Sequence, residues 1–156
     1  MSRSGYIEDI DDNWQLIRWR GAVASSLKGK RGQAFLGEAL TALDALPEPK
    51  LISHKLGDGC GVCTLGAVGA ARGMPITEID PDDHEHVASL FAIPHALACE
   101  IMWENDEGSY HNETPEHRWT RMRRWIVSNL KALPSSSPGT PEGVNQTILP
   151  QTEKGS

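Results

Sequence analysis

Tyrosine and phenylalanine are scarce in this 156-residue chain, two of each, while tryptophan occurs five times. Trp14, Trp19, Trp103, Trp119 and Trp125 are too bulky a set for the centre of one small domain, so some are expected half exposed at its edges. Cysteine is equally sparse, with three residues, and the opening MSRSGYIEDIDD is polar and acidic rather than basic then apolar. A disulfide-stapled secreted fold is not expected; a reduced, soluble, cytoplasmic protein is. No apolar run is long enough to cross a membrane, and neither internal repeats nor sustained heptads occur. Positive charge is in deficit, 15 Lys and Arg against 21 Asp and Glu, for a net −6 and a pI near 5.5, which argues against a general affinity for phosphate backbones.

Periodicity supplies the fold class: a mainly α, compact single-domain bundle of five or six helices over residues 1–133, followed by a flexible tail at 134–156. The first helix is expected from a cap near Asp11 to Asn13 through WQLIRWRGAVASSLKG, with Leu16, Val23, Ala24 and Leu27 on one face and Gly21 and Ala24 admitting a neighbouring backbone. Gly29-Lys30-Arg31-Gly32 breaks it. QAFLGEALTALDAL then places Phe35, Leu36, Ala39, Leu40, Leu43 and Leu46 on one stripe until Pro47 and Pro49 end the helix. LISHKLGDGCGVCTLGAVGAARG reads as a turn followed by a helix ending at Gly73, with a minor β-hairpin as the alternative. Asp80 is expected to cap the next helix, with Pro81 in its first position. Pro94 opens HALACEIMWEND, apolar on nearly every side and so the central buried helix, interrupted only by Glu100. The chain then enters an acidic turn and restarts at Thr114 and Pro115 with Trp119, Met122, Ile126, Leu130 and Leu133 in register. His117, Arg121, Arg124 and Ser128 line its other side. After Pro134 the sequence is rich in Pro, Ser, Gly and Thr and too poor in apolar residues to offset the entropy of ordering; the VNQTIL patch at 144–149 is read as incidental.

Catalytic signatures are weak. GDGCGVCTLG lacks the Lys-Ser/Thr of a phosphate loop, and no order of Ser, Cys and His selects a nucleophile and base. Cys60 and Cys63 have the spacing to share one zinc ion, for which His54, His84, His86, His95 and Cys99 are available as further ligands; small buried thiols are the plainer reading. Glu104, Asp106 and Glu107 read as a solvated helix end, and Glu100 as the partner of an arginine such as Arg18, Arg20 or Arg123, rather than as an acid–base cluster. Neither catalytic nor cofactor-binding residues are therefore assigned, and the chain is read as a non-enzyme. Tryptophan beside arginine is the composition that protein contacts favour, so a partner surface is placed on Trp14, Arg18 and Trp19, on Arg121, Arg124 and Trp125, and on the acidic Glu104, Asp106 and Glu107. Against it stands the reading that these rings cap the core edges and stack on their own arginines.

Three stretches carry a resemblance: GYIEDIDDNWQLIRWRGAVASSLKGKRGQAFL, VCTLGAVGAARG, and ENDEG followed by ETPEHRWTRMRRWIVSNL. In them the chain resembles a family of small bacteriophage and prophage proteins of Gram-negative bacteria, over residues 4–131. The middle and end also resemble a wider family of unknown function with a Cys-Leu-Gly-Ala run, a Trp-Asn-Asp-like turn and a Thr-x-Glu helix start; here the turn reads Trp103-Glu104-Asn105-Asp106, one residue longer. The resemblance implies no activity and no catalytic residue. It implies a phage-borne accessory protein, and the expected function is contact with another protein, such as a host or defence factor. The alternatives are a nucleic-acid-binding regulator using the arginine face and a thiol- or metal-dependent enzyme.

Overall fold

The computed structural model describes residues 13–131 and is mainly α-helical: α1 (Asn13–Lys28), α2 (Lys30–Asp44), α3 (Thr64–Ala71), α4 (His84–Phe91), α5 (His95–Glu107) and α6 (Pro115–Asn129), with a short 3-10 turn at Ile76–Glu78. The cap expected near Asp11, Leu133, and the tail at 134–156 with its 144–149 patch lie outside the described residues.

The break between the first two helices is narrower than expected. Gly29 alone interrupts them, and Lys30 and Arg31 already belong to α2. Gly32 makes this continuation feasible, since a β-carbon there would stand 1.8 Å from the Ser26 carbonyl oxygen. The close approach expected at Gly21 and Ala24 is thus at Gly32 instead: nothing lies within 4 Å of a β-carbon on Gly21, and Ala24 is exposed. Leu16, Trp19, Val23, Ser26 and Leu27, all half-buried, form the inner face of α1, which packs on α5 and α2.

α5 is the central helix, as its composition predicts. Leu97, Ala98, Cys99, Ile101 and Met102 are buried and share one core with Phe35, Leu36, Ala39 and Leu43 of α2, Leu65 and Val68 of α3, Val87 and Phe91 of α4, and Met122 and Ile126 of α6. Each large aliphatic or phenyl group removed from water in this core stabilises the fold by about 1.5–3 kcal/mol. An ionic corner closes the α2, α3 and α4 side. Arg72 donates Nε and one terminal nitrogen to the two Glu38 oxygens at 2.7 Å each, donates again to the Phe91 carbonyl, and lies over the rings of Phe35 and Phe91.

Residues 50–63 form a turn with one isolated antiparallel bridge, Gly57 to Val62, supported by Cys63 N–H donating to the Leu56 carbonyl at 2.9 Å. Gly66 lets α3 lie directly against this turn, because a β-carbon would come within 1.6 Å of the Leu56 oxygen. α4 begins later than its acidic residues suggest. Asp80 accepts the Asp82 N–H at 2.9 Å within a local turn, so Pro81 is not helical, and Asp83 caps α4 by accepting from His86 at 3.1 Å. At its far end Ala92 adopts a left-handed φ of 55°, while Ile93 N–H reaches back to the Ala88 carbonyl. α6 starts as its sequence predicts, with the Thr114 hydroxyl accepting from His117 N–H at 3.1 Å and Pro115 in the first turn.

Candidate functional site

The acidic turn that the resemblance places at Trp103-Glu104-Asn105-Asp106 is helical: the helix expected over HALACEIMWEND runs one residue further, to Glu107. The turn positions are occupied instead by residues 108–114. Continuing the helix carries Asn105 into the interior, where 1% of its surface remains accessible. A buried amide must find partners for its donors and acceptor, and here they come from three directions. Asn105 Oδ1 accepts from the Thr64 N–H at 3.1 Å and hydroxyl at 2.9 Å, while Nδ2 donates to the Ile52 carbonyl at 2.9 Å and to Asp106 Oδ1 at 2.8 Å. One side chain therefore ties the start of α3, the 50–63 turn and the end of α5 together.

Two arginines of α6 complete the junction. Arg118 is buried and donates to the Asn105 carbonyl and to the Leu51 carbonyl, both at 3.0 Å. Arg121 donates to the Glu104 carbonyl at 2.7 Å and grips Glu113 with two nitrogens at 2.7 and 2.9 Å. The Glu113 side chain is 3% exposed and also receives His117 Nδ1 at 2.7 Å. Burial acts to raise the Glu113 pKa, but Arg121, His117 and Arg118 outweigh it and hold the carboxyl below its ordinary value. Asp106 accepts the His54 N–H at 3.0 Å; with its side chain only 9% exposed, it corrects the expectation of a solvated helix end. A polar cleft of about 470 Å³ lies beside this junction, and two of its lining residues, His54 and Asn112, have left-handed φ values of 63° and 69°.

The nine residues assigned to a partner surface are not brought together. Glu104, Asp106 and Arg121 serve the α5–α6 junction, and Glu107 is half-buried beside it. Trp125 is half-buried against the core, while Arg124 next to it is exposed. The expected free arginine face of α6 is reduced accordingly: Arg118 and Arg121 are committed to the junction, and Arg123 makes a two-point contact with Asp44 at 2.7 and 3.0 Å. Trp119, which Arg123 overlies at 5.9 Å, donates Nε1 to the Leu43 carbonyl. On α1, Trp19 turns inward and meets the His95 ring edge-on at 6.1 Å. Trp14 is 72% exposed and Ile17 56%, and Arg18 is exposed between them and the next turn. Helical spacing puts Trp14, Ile17, Arg18 and Gly21 on the side of α1 opposite its packed face.

The thiols differ in kind. Cys60 is exposed on the 50–63 turn, whereas Cys63 is buried and its sulfur caps α3 by accepting the Gly66 N–H at 3.3 Å. Burial pushes the Cys63 thiol up to about 12. Among the described residues neither belongs to a group of three candidate metal ligands; the group that exists is His84, His95 and Cys99, whose ligating atoms all lie within 4.8 Å of one another. Burial, followed by the charge of Glu100, raises the Cys99 thiol to about 12 as well. A thiol so protonated is a poor nucleophile.

No family model, curated protein or solved structure matches the chain. Among the described residues no single helix is long and apolar enough to cross a membrane. Sequence reasoning missed the central roles of Asn105, Thr64, Arg118 and Glu113, since no periodic signal distinguishes a polar residue that turns inward at a helix end. It named Asn105 as part of a turn, and the one usable clue was a Thr-Pro helix start preceded by a carboxylate.

Proposed function

We propose that the chain is a non-enzymatic binding protein that acts by contact with another protein, through the outer face of α1 centred on Trp14, Ile17 and Arg18. The observation that carries this reading is the exposure of Trp14 and Ile17 on the same side of one helix. Each would be better placed, by the free energy of water transfer, in a core or under a partner. Trp and Arg are the residues that dominate binding energy when a partner excludes water from them. α1 carries Arg18, Arg20 and Lys28 and no carboxylate, in a chain whose net charge is −6. The partner expected is therefore a protein with an apolar pocket rimmed by acidic residues. The resemblance to phage and prophage proteins supports a bacterial cytoplasm as the place of contact and a host or defence factor as the target.

The same basic helix keeps nucleic acid as the second reading, now on α1 rather than α6. Retention on a DNA column at low salt that disappears in the R18E/R20E variant favours that reading. For protein contact, photo-crosslinking from position 18 in the bacterial host should give one stoichiometric adduct, absent when Trp14→Ala and Ile17→Ala are combined. A crosslinking pattern unchanged by that pair counts against the assignment of the surface.

A further inference from the structure

We propose that His84, His95 and Cys99 form a three-ligand site for zinc, held between the first turn of α4 and the first two turns of α5 and independent of Cys60 and Cys63. The three ligating atoms lie within 4.8 Å of one another, and Cys99 Sγ stands 3.3 Å from His95 Nε2. In a tetrahedral zinc site with ordinary Zn–S and Zn–N bonds the sulfur and nitrogen ligands are about 3.5 Å apart, so one edge of the polyhedron is within a few tenths of an ångström of the length required. The His84 ligating atom lies within 4.8 Å of both and has to close on the third corner when the ion binds.

The scaffold suits this use. His95 and Cys99 are four residues apart on α5, so both project from one face. His84 is the first residue of α4, and α4 is fixed to α5 by only three linking residues, with Ala92 in its left-handed conformation and Ile93 hydrogen-bonded back into the helix. Trp19 meets the His95 ring edge-on from the α1 side, an apolar neighbour on one side of the imidazole. Two imidazoles and a thiolate form a borderline-to-soft donor set that selects zinc and its neighbours over magnesium or calcium. Binding replaces the Cys99 thiol proton, which passes to solvent, by a sulfur–metal bond. Three protein ligands leave the fourth position for water or an exogenous donor.

Titration of the metal-free full-length chain with Co2+ tests the site. One equivalent should produce the visible bands of a four-coordinate ion and a thiolate-to-cobalt absorption in the near ultraviolet, both erased by one equivalent of Zn2+. Cys99→Ser should remove the thiolate absorption, and the C60S/C63S variant should keep it. His84→Ala, which alters no buried residue, should weaken zinc binding by about 100-fold or more, with thermal unfolding of the metal-free protein confirming that each variant folds. Absence of the thiolate band, its persistence in Cys99→Ser, or its loss in C60S/C63S overturns the proposal.

Discussion

Asn105 offers the most concentrated test at the scale of single residues. Four hydrogen bonds meet on its amide, two of them from Thr64. Asn105→Ala leaves the buried Thr64 groups and the Ile52 carbonyl without their partner, and each orphaned group costs about 1–3 kcal/mol. A fall in chemical-denaturation midpoint equivalent to at least ~3 kcal/mol is expected; a change of a few tenths would show that water replaces the amide. Glu113 makes a second test because its stabilisation depends on pH. Its folded pKa is depressed below 4.5, so the carboxylate stabilises the fold above that value and this contribution is lost as pH falls through the folded pKa. Glu113→Gln should destabilise by about 2 kcal/mol at neutral pH, and the gap to the parent chain should close as the pH falls through the depressed folded pKa. A gap independent of pH would mean that packing, not charge, is what Glu113 supplies. Ala92 is a third case, of opposite sign. A β-carbon at φ 55° is held against its preference, so Ala92→Gly should raise stability by up to about 1 kcal/mol in the same denaturation assay.

At the scale of elements, the glycines of α2 separate two effects that the sequence does not distinguish. Gly37 has open space where a β-carbon would stand, whereas at Gly32 the Ser26 carbonyl blocks it. Gly37→Ala should therefore stabilise by about 0.5–1 kcal/mol through helix propensity alone, and Gly32→Ala should destabilise by about 1–3 kcal/mol by forcing α1 away. Equal responses in thermal unfolding would contradict the contact between the two helices. The six helices themselves were legible because apolar residues recur with the helical period and because Thr114-Pro115 and Pro94 are unambiguous starts. Boundaries set by a tertiary contact were not. Gly32 reads as a breaker until Ser26 is seen beside it, and Asp80 reads as a cap until Asp82 and Asp83 divide the turn and the cap between them. The candidate site was legible only in part, since the exposure of Trp14 and the burial of Trp19 differ by which side of α1 meets α5, and the commitment of Arg118, Arg121 and Arg123 depends on partners 8 to 79 residues away.

Considered whole, the molecule uses most of its unusual residues for its own architecture. Asp106 and Glu113 together with Arg118, Arg121 and Arg123 of α6 hold elements together, and four of the five tryptophans lie against the core. Among the described residues Leu90, Tyr110 and Val127 are exposed singly, whereas the outer face of α1 is basic and carries an exposed indole and isoleucine side by side. Truncating Trp14 should therefore leave stability within about 0.5 kcal/mol of the parent, as for other exposed positions, and act only on binding, where a buried tryptophan anchor contributes about 2 kcal/mol or more. The central claim is tested most directly by the affinity of the crosslinked partner, once purified, for the parent chain and for Trp14→Ala. A loss of about 30-fold or more with unchanged thermal unfolding is the expected result; equal affinity for the two proteins would contradict the account.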